Sequence, residues 1–76
     1  MNTDYYLYSP SHRRCVMVGS DSSLSGPKSW PVEYGGREFI KWAIDNSVRD
    51  IVLVDEHSLP DGDGIQNDTH YRNPPY

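Results

Sequence analysis

The sequence contains a single cysteine, Cys15, and this scarcity excludes two kinds of structure. One cysteine cannot form a disulfide within the chain, and it cannot build a metal cluster from thiolates alone. A lone thiol without a disulfide framework is typical of a reducing compartment. We therefore expect a cytoplasmic protein whose fold depends on packing rather than on covalent cross-links.

Long hydrophobic runs are also missing. No apolar stretch approaches the ~20 residues that cross a membrane as a helix. The first residues, Met1 to Asp4, lack the basic and apolar regions of a signal peptide, so we expect neither secretion nor a membrane partner. The chain of 76 residues predicts one domain with a thin core.

Positive charge is scarce in the second half of the chain. Residues 1–37 hold four basic and three acidic side chains, whereas residues 38–76 hold three basic and eight acidic ones. An acidic surface repels phosphate groups and attracts basic protein surfaces. We therefore expect no direct binding to nucleic acid, and ordinary solubility is the simpler explanation of the charge.

The apolar pattern predicts three strands and one helix. Residues 4–9 are rich in tyrosine and residues 14–19 in aliphatic side chains, so both segments suit strands, and the short linker between them predicts a hairpin. Four consecutive apolar residues, Ile51 to Val54, predict a third strand that is buried on both faces. Residues 37–47 have the periodicity of an amphipathic helix.

The predicted helix has one apolar face, which we expect to pack on the sheet. This face consists of Phe39, Ile40, Ala43, Ile44 and Ser47. Trp42 lies at the edge of the apolar face, and the opposite side carries the charged residues Arg37, Glu38, Lys41 and Asp45.

Together these elements predict an α+β fold of the ββαβ type over residues 1–56. The sheet is expected to be three-stranded and mixed, with one helix on one face. With the strands numbered along the chain, we favour the order 2-1-3, and the order 1-2-3 is the alternative. Residues 57–76 have few apolar side chains, so we expect an irregular tail that is flexible or lies over the surface.

One segment of this tail has the composition of a cation site. Residues 61–68 carry alternating Asp-Gly pairs followed by Asn67 and Asp68, and hard cations bind to such oxygen ligands. The spacing departs from the EF-hand pattern, and Asp-Gly pairs also form excellent turns. We therefore predict no metal and no cofactor, with calcium or zinc binding by this segment as a further alternative.

Catalytic residue types occur, but no complete catalytic motif does. Asp55, Glu56 and His57 are adjacent at a predicted strand end, yet no nucleophile matches them. The basic neighbours of Cys15 could activate its thiol, although a buried, inert thiol is more common. Gly35 and Gly36 suit a glycine turn into the helix as well as an anion site. We therefore predict that the protein is not an enzyme.

Aromatic residues are more abundant than a thin core can hold, with six tyrosines and two tryptophans. Tyrosine and tryptophan are enriched at interface hot spots, because they bury a large area and keep a polar tip. Stacking on single-stranded nucleic acid is the other use of such residues, but it needs a basic groove. The pattern therefore favours an aromatic anchor for a protein partner.

These features predict a small non-enzymatic module that binds a basic surface of another protein. The predicted partner-binding residues are Trp30, Glu38, Trp42, Asp45, Asp55 and Glu56. If the partner surface binds nucleic acid, these carboxylates would compete with phosphate for its basic residues. The alternative is a structural or accessory domain that forms a homodimer through an exposed sheet edge.

In size, acidity and lack of a catalytic motif, the chain resembles small phage-encoded inhibitors of the anti-CRISPR kind. Many small bacterial proteins share this profile. The resemblance is one of composition, so it implies an inhibitor of phage or bacterial origin but carries over no site residue.

Overall fold

The computed structural model describes residues 2–31, 33–60 and 64–70, which form one helix and five strands. The elements are β1 (Thr3–Ser9), β2 (Arg14–Ser22), β3 (Gly26–Ser29), α1 (Gly36–Asp45), β4 (Val52–Asp55) and β5 (Gln66–Asn67). All five strands belong to one sheet, which confirms the α+β class. Within the described residues, no helix has the length and apolar character needed to span a membrane.

In this sheet, β1 lies between β2 and β4 and is antiparallel to both. On the other side of β2, β3 pairs antiparallel with one end of that strand and β5 pairs parallel with the other. The predicted three-stranded sheet of order 2-1-3 is not confirmed, because β3 and β5 extend the sheet beyond β2. Pro27 lies in β3, and an edge strand tolerates proline because one of its sides needs no donors.

Residues 64–70, which belong to the predicted tail, lie along β2. The backbone N–H groups of Gln66 and Asp68 donate to the carbonyl oxygens of Arg13 and Cys15, each at 2.8 Å. The N–H of Met17 donates to Thr69 Oγ1, also at 2.8 Å. Hydrogen bonds to the edge of β2 therefore hold a segment for which the low apolar content predicted a flexible or surface-laid tail.

One face of the sheet, the core face, carries the main buried cluster. Its members are Tyr6, Tyr8, Cys15 and Met17, and the half-buried side chains of Trp30, Tyr34, Val54, Leu59 and Ile65 pack against them. Side chains alternate across a strand, so Tyr5 and Leu7 point to the opposite face. The chain after β4 therefore covers the core face through Leu59 and Ile65.

The helix α1 packs on the opposite face, against β2. Gly35 precedes it with φ of 100°, a left-handed conformation that glycine adopts without strain. A Cβ atom at Gly36 would lie 2.2 Å from the Pro31 carbonyl oxygen and 3.4 Å from Val18 Cγ1. The two glycines therefore allow the chain to turn into the helix in close contact with its neighbours.

The apolar face of the helix is only partly buried. Phe39 is 2% exposed and Ala43 is buried, but Ile40 is 43% and Ile44 is 73% exposed. The prediction that Ile40 and Ile44 pack on the sheet is therefore wrong. The helix packs against β2, and only a narrow stripe of its surface, which includes Phe39 and Ala43, is buried there.

The third predicted strand also differs from its prediction. β4 begins at Val52 and forms an outer strand of the sheet, with Val52 45% and Leu53 64% exposed. The prediction of burial on both faces is wrong for these residues. An apolar run indicates what a strand could bury, but whether another element covers it depends on the tertiary fold.

Two variants of α1 test this packing. Phe39→Ala is expected to lower the free energy of unfolding by about 3 kcal/mol, because it removes a buried ring and leaves a cavity. Ile44→Ala is expected to change it by less than about 0.5 kcal/mol, because the side chain is exposed. Urea unfolding followed by circular dichroism measures both, and equal losses would contradict the packing.

Candidate functional site

The face of the sheet that carries α1 is covered over β2 but not over β4. A cross-strand row on this face runs from Val16 on β2 through Leu7 on β1 to Leu53 on β4. Val16 is fully buried, Leu7 is half-buried and Leu53 is 64% exposed. The helix thus covers only part of this face, and the side chains of Leu7 and Leu53 lie where the cover ends.

The helix adds two isoleucines to this uncovered area. At about 100° per residue, Ile40 and Ile44 project from one flank of α1 and Trp42 projects from the other. Trp42 contacts Arg14, which bonds to Asp68 beside β2. The isoleucine flank therefore lies on the side of β1 and β4.

We call this combined surface the open face. It consists of Tyr5, Leu7 and Leu53 of the sheet with Ile40 and Ile44 of the helix. Sequence reasoning assigned Ile40, Ile44 and Leu53 to the core, because the apolar pattern shows that residues can be buried but not whether they are.

A shallow groove of about 300 Å³ lies at one end of the open face. It is lined by Tyr5, Val18, Gly19, Lys28, Ser29 and Leu53. An adjoining concavity of about 220 Å³ shares Tyr5, Lys28 and Ser29. A small apolar side chain of a partner could enter this groove, with the cation of Lys28 at its border.

Trp42, a predicted anchor, is engaged within the protein. The guanidinium of Arg14 lies 4.0 Å from the centre of its ring, and the His12 ring meets it edge-on at 5.2 Å. Arg14 Nε also donates to Asp68 Oδ2 at 2.8 Å. This stack joins α1, β2 and the segment after β5, so Trp42 contributes to the structure rather than standing free.

The six predicted partner-binding residues do not form one surface. Trp30 packs against the core-face cluster and meets Tyr34 edge-on at 5.2 Å, on the opposite side of the sheet from Trp42. Asp45 is exposed and pairs with Lys41 at 2.7 Å. Glu38 lines a small cavity of about 110 Å³ beside Arg14.

The remaining two predicted residues, Asp55 and Glu56, lie together at the end of β4. Glu56 N donates to the Asp4 carbonyl oxygen at 2.8 Å, and Asp4 N donates to Glu56 Oε1 at 3.2 Å. Burial and the Glu56 carboxylate raise the pKa of Asp4 above its usual value. Asp55 lies across from Tyr5 and so borders the open face with negative charge.

A serine, a histidine and an aspartate meet at the turn between β1 and β2. Asp50 accepts hydrogen bonds from Ser9 Oγ at 2.8 Å and from Ser11 N at 2.7 Å, and His12 Nδ1 lies 2.9 Å from Ser11 Oγ. In a catalytic triad the carboxylate orients the histidine, whereas this carboxylate binds a serine and the backbone. These hydrogen bonds from Ser9 and Ser11 to Asp50, which we call the clamp, hold the turn against the segment before β4.

The Cys15 thiol and the candidate metal ligands are the other reactive groups predicted from the sequence. Cys15 is 1% exposed, and burial together with the Asp68 carboxylate raises the pKa of its thiol, which disfavours the reactive thiolate. Within the described ranges, no group of three or more His, Cys, Asp or Glu side chains is arranged to hold a metal ion. Asp61 and Asp63 of the Asp-Gly segment lie outside the described residues.

The clamp predicts a specific response to acid. Its hydrogen bonds lower the pKa of Asp50 from 3.8 to about 2, so the stabilisation is fully present above pH 3.8 and is lost as the pH falls towards 2. Asp50→Asn is therefore expected to melt at a lower temperature than the wild type at pH 7, with a difference that shrinks between pH 4 and pH 2.

Thermal unfolding between pH 2 and pH 7 measures this difference, with Asp45→Asn as the control on the exposed helix surface. A gap between Asp50→Asn and the wild type that stays constant down to pH 2 would contradict the clamp.

Comparisons of the chain with protein-family models, with curated proteins and with solved structures find no match. The function is therefore inferred from the structure of the chain itself.

Proposed function

We propose that this protein is a protein-binding module that uses the open face as its contact surface. One observation carries the proposal: Leu53, Ile40 and Ile44 are exposed on the side of the sheet where Leu7 is only half-buried. Apolar side chains that cluster on the surface of a small soluble domain mark interaction sites, whereas scattered ones are ordinary.

The charges around the open face indicate the chemistry of the partner. Asp55 borders the apolar area, and Glu56 follows it just after β4, bonded to Asp4 of the neighbouring strand β1. A partner with an apolar centre and basic residues at its edge would complement this arrangement. Acidic groups at an interface edge mainly speed association, so we expect affinity to fall moderately, not steeply, with added salt.

This proposal keeps the protein-binding function expected from the sequence but changes the anchoring residues. Trp30 and Trp42 have internal contacts, whereas Leu53 and the isoleucines of α1 present their side chains to solvent. A partner surface that also binds nucleic acid would meet the acidic end of β4, which is the inhibitor form of the same function. The proposal itself requires only the apolar contact.

Site-specific photo-crosslinking tests the proposal with a matched control. A benzoylphenylalanine replaces Leu53 in one variant and Leu24 in the other, because Leu24 is 97% exposed in the turn between β2 and β3. Both variants are produced in the native host and irradiated, and adducts are analysed by mass spectrometry. We expect a discrete protein adduct from position 53 and none from position 24.

The mass of the adduct identifies the kind of partner. A species of twice the 8.7 kDa chain mass is a second copy, and any other discrete mass is a different protein. Irradiation that gives no adduct at position 53, or the same adducts at both positions, would overturn the proposal.

A further inference from the structure

The two sides of the sheet differ in their protection against pairing with another strand. On the β3 side, Pro27 lacks a donor and Lys28 carries a charge, both of which discourage strand addition. On the other side, β4 has neither proline nor lysine, and no described strand lies beyond it. The edge of β4 is therefore the place where a further strand can pair.

The backbone groups of β4 that point outwards can be assigned. Glu56 N donates to the Asp4 carbonyl oxygen on β1. Along an antiparallel ladder, the backbone N–H and C=O groups of successive residues point alternately to the two sides of the strand. Those of Val54 and Val52 therefore point towards β1. The backbone N–H and C=O groups of Leu53 and Asp55 then point away from β1. Consistently, the Asp55 carbonyl oxygen accepts from Ser58 N and Leu59 N, each at 3.1 Å, rather than from β1.

The Asp55 carbonyl oxygen is thus already used, whereas the outer N–H and C=O groups of Leu53 face the open edge. If the alternation continues one residue before β4, Ile51 also turns outwards, and a partner strand gains the most hydrogen bonds when it pairs with Leu53 and Ile51. An antiparallel pair of identical strands that joins Ile51 of each copy to Leu53 of the other places Val52 opposite Val52.

This register also matches the side chains best. It sets Ile51 against Leu53 and brings Arg49 opposite Asp55 on both sides of the two-fold axis. Asp50 comes opposite Val54, with its carboxylate already bonded to Ser9 and Ser11 of its own chain. Opposite charges across an antiparallel pair are favourable. Ser58 and Leu59 occupy the outer edge at the Asp55 backbone, so the partner approaches Asp55 with the long, exposed side chain of Arg49 and not with its backbone.

The registers shifted towards the C-terminal end of β4 are less favourable. Placing Leu53 opposite Leu53 sets Asp50 against Glu56, which are like charges, and Ile51 against Asp55. Placing Val54 opposite Val54 sets Leu53 against Asp55. Like charges across a strand pair cost stability, and neither of these registers has an opposite-charge pair that would offset its apolar–carboxylate pair.

We infer that two copies of this chain associate through antiparallel pairing of their β4 strands, with Val52 opposite Val52. The dimer has one continuous sheet, in which the two open faces adjoin between two α1 helices. It covers the exposed Leu53 and Val52 without occupying Ile40 and Ile44. The interface is small, so the dimer is expected to form reversibly and to depend on concentration.

Cysteine cross-linking tests the register. Facing residues of a non-hydrogen-bonded antiparallel pair have Cα atoms about 4.5 Å apart, which suits a disulfide. Val52→Cys is therefore expected to give a covalent dimer on mild oxidation. Val54→Cys, Leu53→Cys and the exposed control Leu24→Cys are expected to give at least about tenfold less. The native Cys15 is 1% exposed and does not interfere.

Sedimentation equilibrium from about 1 μM to 1 mM chain measures the association itself. Arg49→Glu is expected to weaken the dimer about fivefold, whereas Arg37→Glu, at another exposed arginine, is expected to leave it unchanged. Dominant cross-linking at position 53 or 54, or no effect of Arg49→Glu on a dimer that forms, would overturn the register.

A strict monomer up to 1 mM, with no Val52→Cys cross-link above the Leu24→Cys background, would overturn the dimer as a whole. That result would not affect the protein-binding proposal, because an adduct at position 53 with a different protein is a separate observation.

Discussion

One helix covers a sheet that is wider than the helix, and this mismatch determines where the apolar surface lies. α1 has ten residues, so it is about 15 Å long and about 10 Å wide with its side chains. Neighbouring strands are about 4.8 Å apart, so a helix over β2 cannot also cover β4, two strands away. The row from Val16 to Leu53 follows this limit, from full burial to 64% exposure. The open face is therefore a consequence of how few elements the described residues form.

The core face has the opposite arrangement, because the chain after β4 returns across it. Leu59 and Ile65 pack on the tyrosine cluster, and residues 64–70 then bond to the edge of β2. Arg14 joins this segment to the helix through Asp68 and Trp42. The residues that complete the core are thus concentrated on one face and one side of the sheet, and the side chains of β4 and of the isoleucine flank of α1 stay exposed.

Much of the local structure is predictable from the sequence, but which apolar residues another element covers is not. The hairpin of β1 and β2 and the helix follow from aromatic, aliphatic and periodic patterns that act over a few residues. β3 and β5 are missed because Gly26, Pro27 and the polar residues near Asn67 carry no strand pattern, and their order comes from bonds to β2. Ile44 and Leu53 look like core residues because a pattern shows what can be buried, whereas burial requires an element placed over it.

The exposure of the open face in the free chain is the central claim, and methyl NMR with a soluble paramagnetic agent measures it most directly. In a dilute sample, we expect strong relaxation enhancement at the methyl groups of Ile44 and Leu53, comparable to that of Leu24, and almost none at Val16. Protection of Ile44 and Leu53 to the level of Val16 would contradict the account, because another part of the chain would then cover the open face.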